Sequence, residues 1–313
     1  MDDPGAILGL HHVTAICGHP QPNVDFYTGV LGLRLIKLTV NFDDPGAYHL
    51  YYGDAAGRPG SVLTFFAWPG AQRGHPGAGQ VTAVAFAVPD GSLGAWRDHL
   101  GARGVAFEPD ERFGRPLLRL QDPDGLVLEL ADGGLEPAAG GDAGLPAGAA
   151  IERLSGVTAT ESNPASTGFL TSALRFDAAQ AQPPLARFAA GDPVPGSLID
   201  VIAAPGAGPG RVAVGTVHHV AWRVADDATQ LAWKARLEGL GAHVSPVMDR
   251  VYFHSIYFRE PGGVLFEIAT DGPGFTVDEP LDRLGHELRL PPWMAPDRGA
   301  LAALLPPLRL PSA

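Results

Sequence analysis

Short apolar runs bounded by turn residues recur along this chain. The first block, residues 8–68, contains the runs LHHVTAI, LRLIKLTVNF, AYHLYYGD and SVLTFFAW. Runs of this length that are rich in β-branched and aromatic residues predict strands. The stretch PNVDFYTGVLG, after the first run, predicts a helix that ends near Gly29–Gly32. The block therefore has the pattern strand, helix and three strands.

The same pattern can be laid over three later blocks, residues 80–132, 151–204 and 216–271. In the second block VTAVAFAV precedes a helix expected near 92–100, and GLVLELAD closes the block. The third block is degenerate, but its GSLIDVIAAPG echoes the GSVLTFFAWPG of the first. A repeated supersecondary unit predicts an array of equivalent modules. We therefore predict an α+β fold of four βαβββ modules, paired into two cupped sheets.

Residues 136–150, EPAAGGDAGLPAGAA, are rich in Gly, Ala and Pro without periodicity, which is typical of a linker between domains. Hydrophobic residues make up 45% of the 313-residue chain and charged residues 18%, as in ordinary globular proteins. We predict an N-terminal domain of two modules over 1–135 and a C-terminal domain of two modules over 151–275. A tail over 276–313 is expected to form short helices in DRLGHEL and DRGALAALL.

Charge and cysteine content exclude several classes of function. The net charge is −12 and no basic stripe occurs, which argues against binding nucleic acid or an anionic membrane. The single Cys17 excludes an internal disulfide and a thiolate metal cluster, and it fits a reducing cytoplasm. The start MDDPGAILGL lacks the features of a signal peptide, and no apolar run is long enough to span a membrane. A cytoplasmic protein is expected, and homo-oligomers remain open.

Candidate chemistry emerges when the modules are aligned on their first and last strands. Every second side chain of a strand faces the cup, so equivalent slots can be compared. Across the four modules, the slots hold His12, Ala83, Gly156 and His219 in the first strand, and Phe65, Glu129, Val201 and Glu267 in the last. If modules one and four pair, one cup keeps two imidazoles and a carboxylate. The other cup would keep only Glu129, for which we expect a structural role beside an arginine.

A lone histidine at the start of a strand is usually a packing residue, but here it recurs in two modules, each time as HHV. Two imidazoles and a carboxylate with open positions form the facial triad that suits Fe(II) and oxygen chemistry. We therefore predict His12, His219 and Glu267 as metal ligands. The remaining inward position of this cup holds the apolar Phe65, which would leave room at the metal for substrate or O2. Zn or Mn could also occupy such a site.

The motifs HHVT, HHVAW and GVLFEIATDGPGF, with the tail DEPLDRLGHELRLPPWM, resemble the vicinal oxygen chelate superfamily. Within it the chain is most similar to the dioxygenases that open hydroquinone rings, relatives of the extradiol dioxygenases. The resemblance covers nearly the whole chain. It implies an Fe(II)-dependent enzyme of aromatic compound degradation, whose substrates are an aromatic diol and O2 and whose iron is bound by the three predicted ligands.

The resemblance also implies roles for residues around the ligands. Tyr257 and Arg250 match residues that hydrogen-bond the substrate oxygens. His11, His218 and Thr14 match positions beside the ligands. Thr14 has the strand parity of His12 and can face the metal, whereas the other two have opposite parity and reach the site only if the strands begin irregularly. Either His11 or His218 is expected to act as the acid or base, and a structural role for both stays open.

Two other functions remain as alternatives. A glyoxalase-like lyase or isomerase would use Zn or Ni and usually needs two carboxylates on the metal. The position expected for the second carboxylate holds Phe65, which argues against this function. A metal-free ligand-binding or resistance protein, of a kind the superfamily also contains, would have no need of an intact His12, His219 and Glu267.

Overall fold

The computed structural model describes residues 3–133, 144, 145 and 148–311, and each of the four repeated blocks forms a βαβββ module. The first module consists of β1 (Leu10–Cys17), α1 (Pro20–Gly29), β2 (Arg34–Asn41), β3 (Asp44–Gly53) and β4 (Val62–Ala67). The second consists of β5 (Gln80–Val88), α2 (Leu93–Ala102), β6 (Phe107–Arg112), β7 (Arg115–Gln121) and β8 (Val127–Asp132).

The later modules repeat this order. The third consists of β9 (Arg153–Glu161), α3 (Ala165–Ser172), β10 (Asp177–Gln182), β11 (Leu185–Ala189) and β12 (Leu198–Ala203). The fourth consists of β13 (Val217–Val224), α4 (Asp227–Gly239), β14 (Met248–Asp249), β15 (Phe253–Arg259) and β16 (Leu265–Pro273). Asp226 caps α4 by accepting a hydrogen bond from the Thr229 backbone N–H at 2.8 Å, which satisfies one donor of the first turn.

The modules combine into two eight-stranded sheets, and the predicted fold class is confirmed. One sheet has the order β14-β15-β16-β13-β1-β4-β3-β2 and joins modules four and one. The other has the order β10-β11-β12-β9-β5-β8-β7-β6 and joins modules three and two. The pairing of the first module with the fourth is as expected. Each cup thus takes one module from each half of the chain. The proposed domain boundaries stay a prediction, and most of the linker 136–150 lies outside the described residues.

Strand register corrects two of the eight aligned slots. Val13 pairs with Leu63 and Val220 with Phe266, so the residue equivalent to Glu267 is Thr64, one before Phe65. In the third module Val157 pairs with Ile199, which makes Asp200 the equivalent residue in place of Val201. Phe65 lies on the opposite face of the sheet, with its ring 4.7 Å from that of Tyr27. A shift of one residue moves a strand side chain to the other face, which is why a sequence alignment without register placed both slots wrongly.

The tail after β16 contains only short helical segments in its described part. Three 3₁₀ turns (Phe275–Val277, Leu281–Arg283 and Ala295–Asp297) precede α5 (Arg298–Leu304). Of the predicted helix in DRLGHEL, only the start is helical, because Leu284 leaves the helical region and Gly285 takes a positive φ. A Cβ at Gly285 would collide with the Leu35 carbonyl of β2, so the glycine lets the tail lie against that strand. Among the described residues no helix has the length and apolar character needed to cross a membrane.

Candidate metal centre

Three ligand-type side chains converge on the floor of the first cup. The Nε2 atom of His219 lies 3.0 Å from Glu267 Oε2 and 3.4 Å from the Nε2 atom of His12. His12 Nε2 lies 3.5 Å from the same carboxylate oxygen. All three residues are buried, and Glu267 has no exposed surface. The described part of the chain offers this one group of three or more ligand-type side chains close enough to share a metal ion.

The sheet itself brings these residues together. β1 and β13 run antiparallel at its centre, with Thr14 opposite His219 and His12 opposite Ala221. β16 lies beside β13 and places Glu267 next to Ala221. Residues 207 positions apart in sequence, His12 and His219, thus point to one face of one sheet. The two HHV motifs therefore lie side by side on antiparallel strands, so that the two modules are related by a local two-fold axis.

The histidines that precede the two ligands contact them directly. The Nδ1 atoms of His11 and His12 are 2.9 Å apart, and those of His218 and His219 are 2.7 Å apart. Irregular register in the β1–β13 ladder, at Leu10/His12 and at Thr14/Ala15, accompanies this arrangement. If each ligand imidazole donates from Nδ1, its Nε2 lone pair is free for a metal, and the neighbouring histidine fixes the ring orientation.

Electrostatics favour the protonation states that bind a cation. Burial raises the pKa of Glu267, but the adjacent His12 and His219 outweigh it and hold that pKa well below its usual range. Burial lowers the pKa of His219, which favours the neutral imidazole. Burial and the neighbouring His12 lower the pKa of His11 to about 3, and burial and His219 do the same for His218.

A divalent cation fits this donor set. Glu267 Oε2 is buried and faces the Nε2 atoms of His12 and His219, so it has no donor when both imidazoles carry their proton on Nδ1, while its Oε1 accepts a hydrogen bond from Ser255. A buried carboxylate oxygen left without a donor is costly unless a cation satisfies it. Two imidazole nitrogens and one carboxylate oxygen suit Fe(II), Mn(II) or Zn(II).

A cleft of about 380 Å³ is lined by His12 and His219, the two histidines of the group. Tyr257 and Arg250 both line it, and Arg250 Nε donates a hydrogen bond of 3.1 Å to the Tyr257 hydroxyl oxygen. A second guanidinium nitrogen of Arg250 donates to Asp43 Oδ2 at 3.1 Å, which holds the arginine in place. Burial and the charge of Glu267 raise the pKa of Tyr257, so its hydroxyl stays protonated and can donate into the cleft.

The structure places four of the five predicted accessory residues at the cleft. Thr14, His218, Arg250 and Tyr257 line it, whereas His11 lies behind His12, with its ring 4.9 Å from that of Phe253. The sequence interpretation did not single out His49 and Thr64. The only available signal was strand parity: Tyr51 and His49 alternate in β3, and Tyr51 is the counterpart of Tyr257 in the first module.

The second cup holds an arginine where the first gathers its ligands. Arg112 donates to Glu129 Oε1 at 2.7 Å and lies 3.4 Å from Asp200 Oδ2. Arg187 pairs with Asp200 at 2.7 Å and Arg119 with Glu129 at 3.1 Å. Glu129 is thus paired with arginine, as expected, but it is accompanied by a second carboxylate. The guanidinium groups neutralise both carboxylates, so this cup needs no metal to balance its charge.

The chain matches the model of the Glyoxalase/Bleomycin resistance protein/Dioxygenase superfamily over residues 9–130 and 158–268. It belongs to that superfamily. The fold agrees: glyoxalase I from Zea mays superimposes with a TM-score of 0.66 at 16% identity, covering 89% of this chain and 97% of the maize chain.

Relatives with higher identity narrow the family further. The chain is 43% identical to the provisionally named ring-cleaving dioxygenase MhqO of Bacillus subtilis, covering 93% of each chain. It is 38% identical to a chlorohydroquinone/hydroquinone 1,2-dioxygenase of Sphingobium indicum, covering 94% of each. The crystal structure of a provisionally named dioxygenase from Bacillus subtilis superimposes with a TM-score of 0.92 at 41% identity, covering 98% of this chain and 99% of the other. The predicted family and the enzyme class, a ring-cleaving dioxygenase, are confirmed.

Proposed function

We propose that this enzyme is an Fe(II)-dependent dioxygenase that inserts both atoms of O2 into an aromatic diol of the hydroquinone or catechol type. One observation carries the proposal: two imidazole nitrogens and one buried carboxylate oxygen converge beside a cleft, close enough to share a metal ion. A set of two histidines and one carboxylate with open positions is typical of non-haem iron oxygenases. The name of the Sphingobium indicum relative supports the substrate class.

His12, His219 and Glu267 would hold the iron. Bound Fe(II) supplies the redox chemistry with O2 that protein side chains lack. The protein supplies binding, orientation and a dry site. Phe253 contributes to the last of these, with its ring 5.0 Å from that of His12 and a largely buried side chain.

Tyr257 and Arg250 act on the substrate oxygens. Arg250 donates to the Tyr257 oxygen, and this polarises the hydroxyl and leaves its hydrogen free for the cleft. A donor aimed at an oxygen that gains negative charge during reaction stabilises the transition state more than the ground state. Thr14, which also lines the cleft, provides a further hydroxyl on the ligand face.

His218 fits the role of acid or base better than His11. Its ring lines the cleft, and its Nδ1 is occupied by His219, so its Nε2 is the atom that can exchange a proton with substrate. His11 does not line the cleft, and its Nδ1 lies 2.9 Å from His12 Nδ1, which suits a part in positioning His12.

The test is anaerobic loading with Fe(II), followed by oxygen uptake with hydroquinone and with catechol. We expect uptake with at least one diol that depends on iron, with Mn(II) and Zn(II) loading run beside it. Absence of uptake with either diol, together with tight Zn or Ni binding, would shift the assignment to a lyase or isomerase. Thr64 weighs against that alternative, because a neutral hydroxyl stands in the slot where a second carboxylate would be needed.

Tyr257→Phe is expected to lower kcat by about 10²–10³-fold with a small change in KM, as for removal of one oxyanion donor. Tyr252→Phe is the matched control. Its hydroxyl donates to Asp278 at 3.1 Å and takes no part in lining the cleft, so kcat should stay within about twofold of the wild type. Steady-state oxygen uptake measures kcat for both variants. Equal kcat values in the two would show that Tyr257 has no role in the reaction.

His11→Phe is expected to weaken Fe(II) binding by about 10–100-fold, because the imidazole that orients His12 is lost. Competition with a calibrated chelator measures the affinity. Since His11 does not line the cleft, the KM for diol in the iron-saturated variant should match that of the wild type. Unchanged iron affinity would show that the contact between His11 and His12 has no influence on the metal.

A further inference from the structure

The first module carries a hydrogen-bonded chain of side chains on the arm of the sheet across from Tyr257. The Thr14 and Thr64 hydroxyls are 2.8 Å apart, and Thr64 Oγ1 lies 2.9 Å from His49 Nε2. His49 Nδ1 lies 2.9 Å from the Tyr51 hydroxyl. Thr14, His49 and Tyr51 line the cleft. The chain therefore has two ends, Thr14 and Tyr51, that both face the space above the ligands.

This arm is the counterpart of the one that bears Glu267. Tyr51 pairs with Thr64 in the ladder as Tyr257 pairs with Glu267. His49 then takes the position of Ser255, whose hydroxyl donates to Glu267. The first module thus has a hydroxyl and an imidazole at the positions where the fourth module has the carboxylate and its donor.

The chain can point in one of two directions, because a neutral imidazole has one N–H and one lone pair. If Tyr51 donates to His49, then His49 donates to Thr64, Thr64 to Thr14, and Thr14 donates to the cleft while Tyr51 accepts from it. If His49 donates to Tyr51, every bond reverses, and Tyr51 donates to the cleft while Thr14 accepts. One end is always a donor and the other an acceptor.

The surroundings of His49 keep the imidazole neutral. Its burial lowers its pKa well below the usual value, and the neighbouring His12, His219 and Arg250 lower it further. Among the described residues, Thr14 and Tyr51 each have the chain as their one side-chain hydrogen-bond partner. Both end hydroxyls are therefore available to a bound molecule.

We propose that the chain Thr14–Thr64–His49–Tyr51 is a specificity device that recognises an aromatic compound by two oxygen substituents at once, one accepting a hydrogen bond and one donating. The proposal rests on the proposed function and names what selects its substrate. An aromatic diol with one ionised and one protonated hydroxyl satisfies both ends. A phenol satisfies one end and leaves the other without a partner, which is costly in a buried site.

A packing role for His49 makes a different prediction. Its ring lies 4.4 Å from that of Phe66, so an aromatic replacement would preserve the contact. Under the packing role His49→Phe behaves as the wild type. Under our proposal it breaks the chain, whereas His49→Gln, which keeps one donor and one acceptor, retains it.

The experiment compares the binding of hydroquinone, catechol and phenol to the Fe(II)-loaded protein without O2. Trp68 lines the cleft, so its fluorescence can report binding independently of turnover. We expect the wild type to bind the diol that it oxidises about tenfold or more tightly than phenol. His49→Phe and Thr64→Val, which cut the chain at two points, should each reduce this preference about tenfold while changing the affinity for phenol by less than about threefold. His49→Gln should keep it.

The result that overturns the proposal is an unchanged preference in both cut chains, an equal loss in His49→Gln, or a wild type that binds phenol as tightly as diol. The use of two cut points guards against a variant that fails to fold. Failure of the proposed function is seen separately, as a wild type that shows no iron-dependent oxygen uptake with any diol.

Discussion

Glu267→Gln is expected to lower the affinity for Fe(II) by more than about 100-fold and to abolish oxygen uptake. The buried carboxylate is the one anionic group of the predicted ligand set, and its Oε2 faces both imidazoles. Even a residue that contacts a ligand from behind changes metal affinity by about 10–100-fold, so loss of a ligand should exceed that. Metal analysis after desalting, together with oxygen uptake, measures the effect.

Glu129→Gln is the matched control, because Glu129 occupies the equivalent slot of the second cup. There the carboxylate accepts from Arg112 and Arg119 in place of a metal. We expect full iron content and activity, with a loss of about 1–3 kcal/mol in the free energy of unfolding, since the partly buried guanidinium of Arg112 loses its charged partner. Iron loss in the Glu129 variant, or iron retention in the Glu267 variant, would contradict the assignment of the metal to the first cup.

Lys37→Met is expected to reduce the free energy of unfolding by about 3–5 kcal/mol, the cost of leaving a buried charge without its partner. Lys37 is fully buried in the middle of β2, and its ammonium group donates to Asp278 Oδ1 at 2.6 Å, to the Phe275 carbonyl at 3.2 Å and to Glu279. These contacts fix the tail against the first module. Urea denaturation monitored by tryptophan fluorescence gives the change.

Two comparisons separate this effect from the loss of a lysine alone. Lys234 pairs with Glu238 on the surface of α4, and Lys234→Met should change stability by no more than about 0.5 kcal/mol. The double variant Lys37→Met with Glu279→Leu should recover part of the loss, because neither of these two charges then remains buried, while the half-exposed Arg289 loses its pairing with Glu279 at 3.3 Å. If Lys37→Met is within about 1 kcal/mol of the wild type, the lysine does not anchor the tail.

Most of the candidate metal site could be proposed from sequence because its residues lie in repeated motifs. The HHV motif occurs in the first and fourth modules, and Glu267 stands in a late apolar strand. Repetition made the histidines conspicuous, and alternation along a strand assigned them to one face. The pairing of these two modules followed from the ligands that each retained.

The last-strand positions equivalent to Glu267 were predicted wrongly in two modules, as Phe65 in the first and Val201 in the third. Aligning apolar runs by eye fixes a strand to within one residue, and one residue decides which face a side chain occupies. The hydrogen-bonded ladder identifies Thr64 and Asp200. This error also hid the chain through His49 and the second carboxylate beside Arg112, since both depend on these two residues.

By itself, the sequence determined the modules, the family and the three ligand-type residues, because each is encoded in a local pattern or a repeated motif. Only the tertiary structure decided what meets across strands: the hydrogen bonds that link Thr14, Thr64 and His49, and the burial of Lys37 against the tail. These contacts join residues far apart in the chain. The register of the strands and the closure of the cup determine which residues become partners, and no single segment of the sequence encodes either of them.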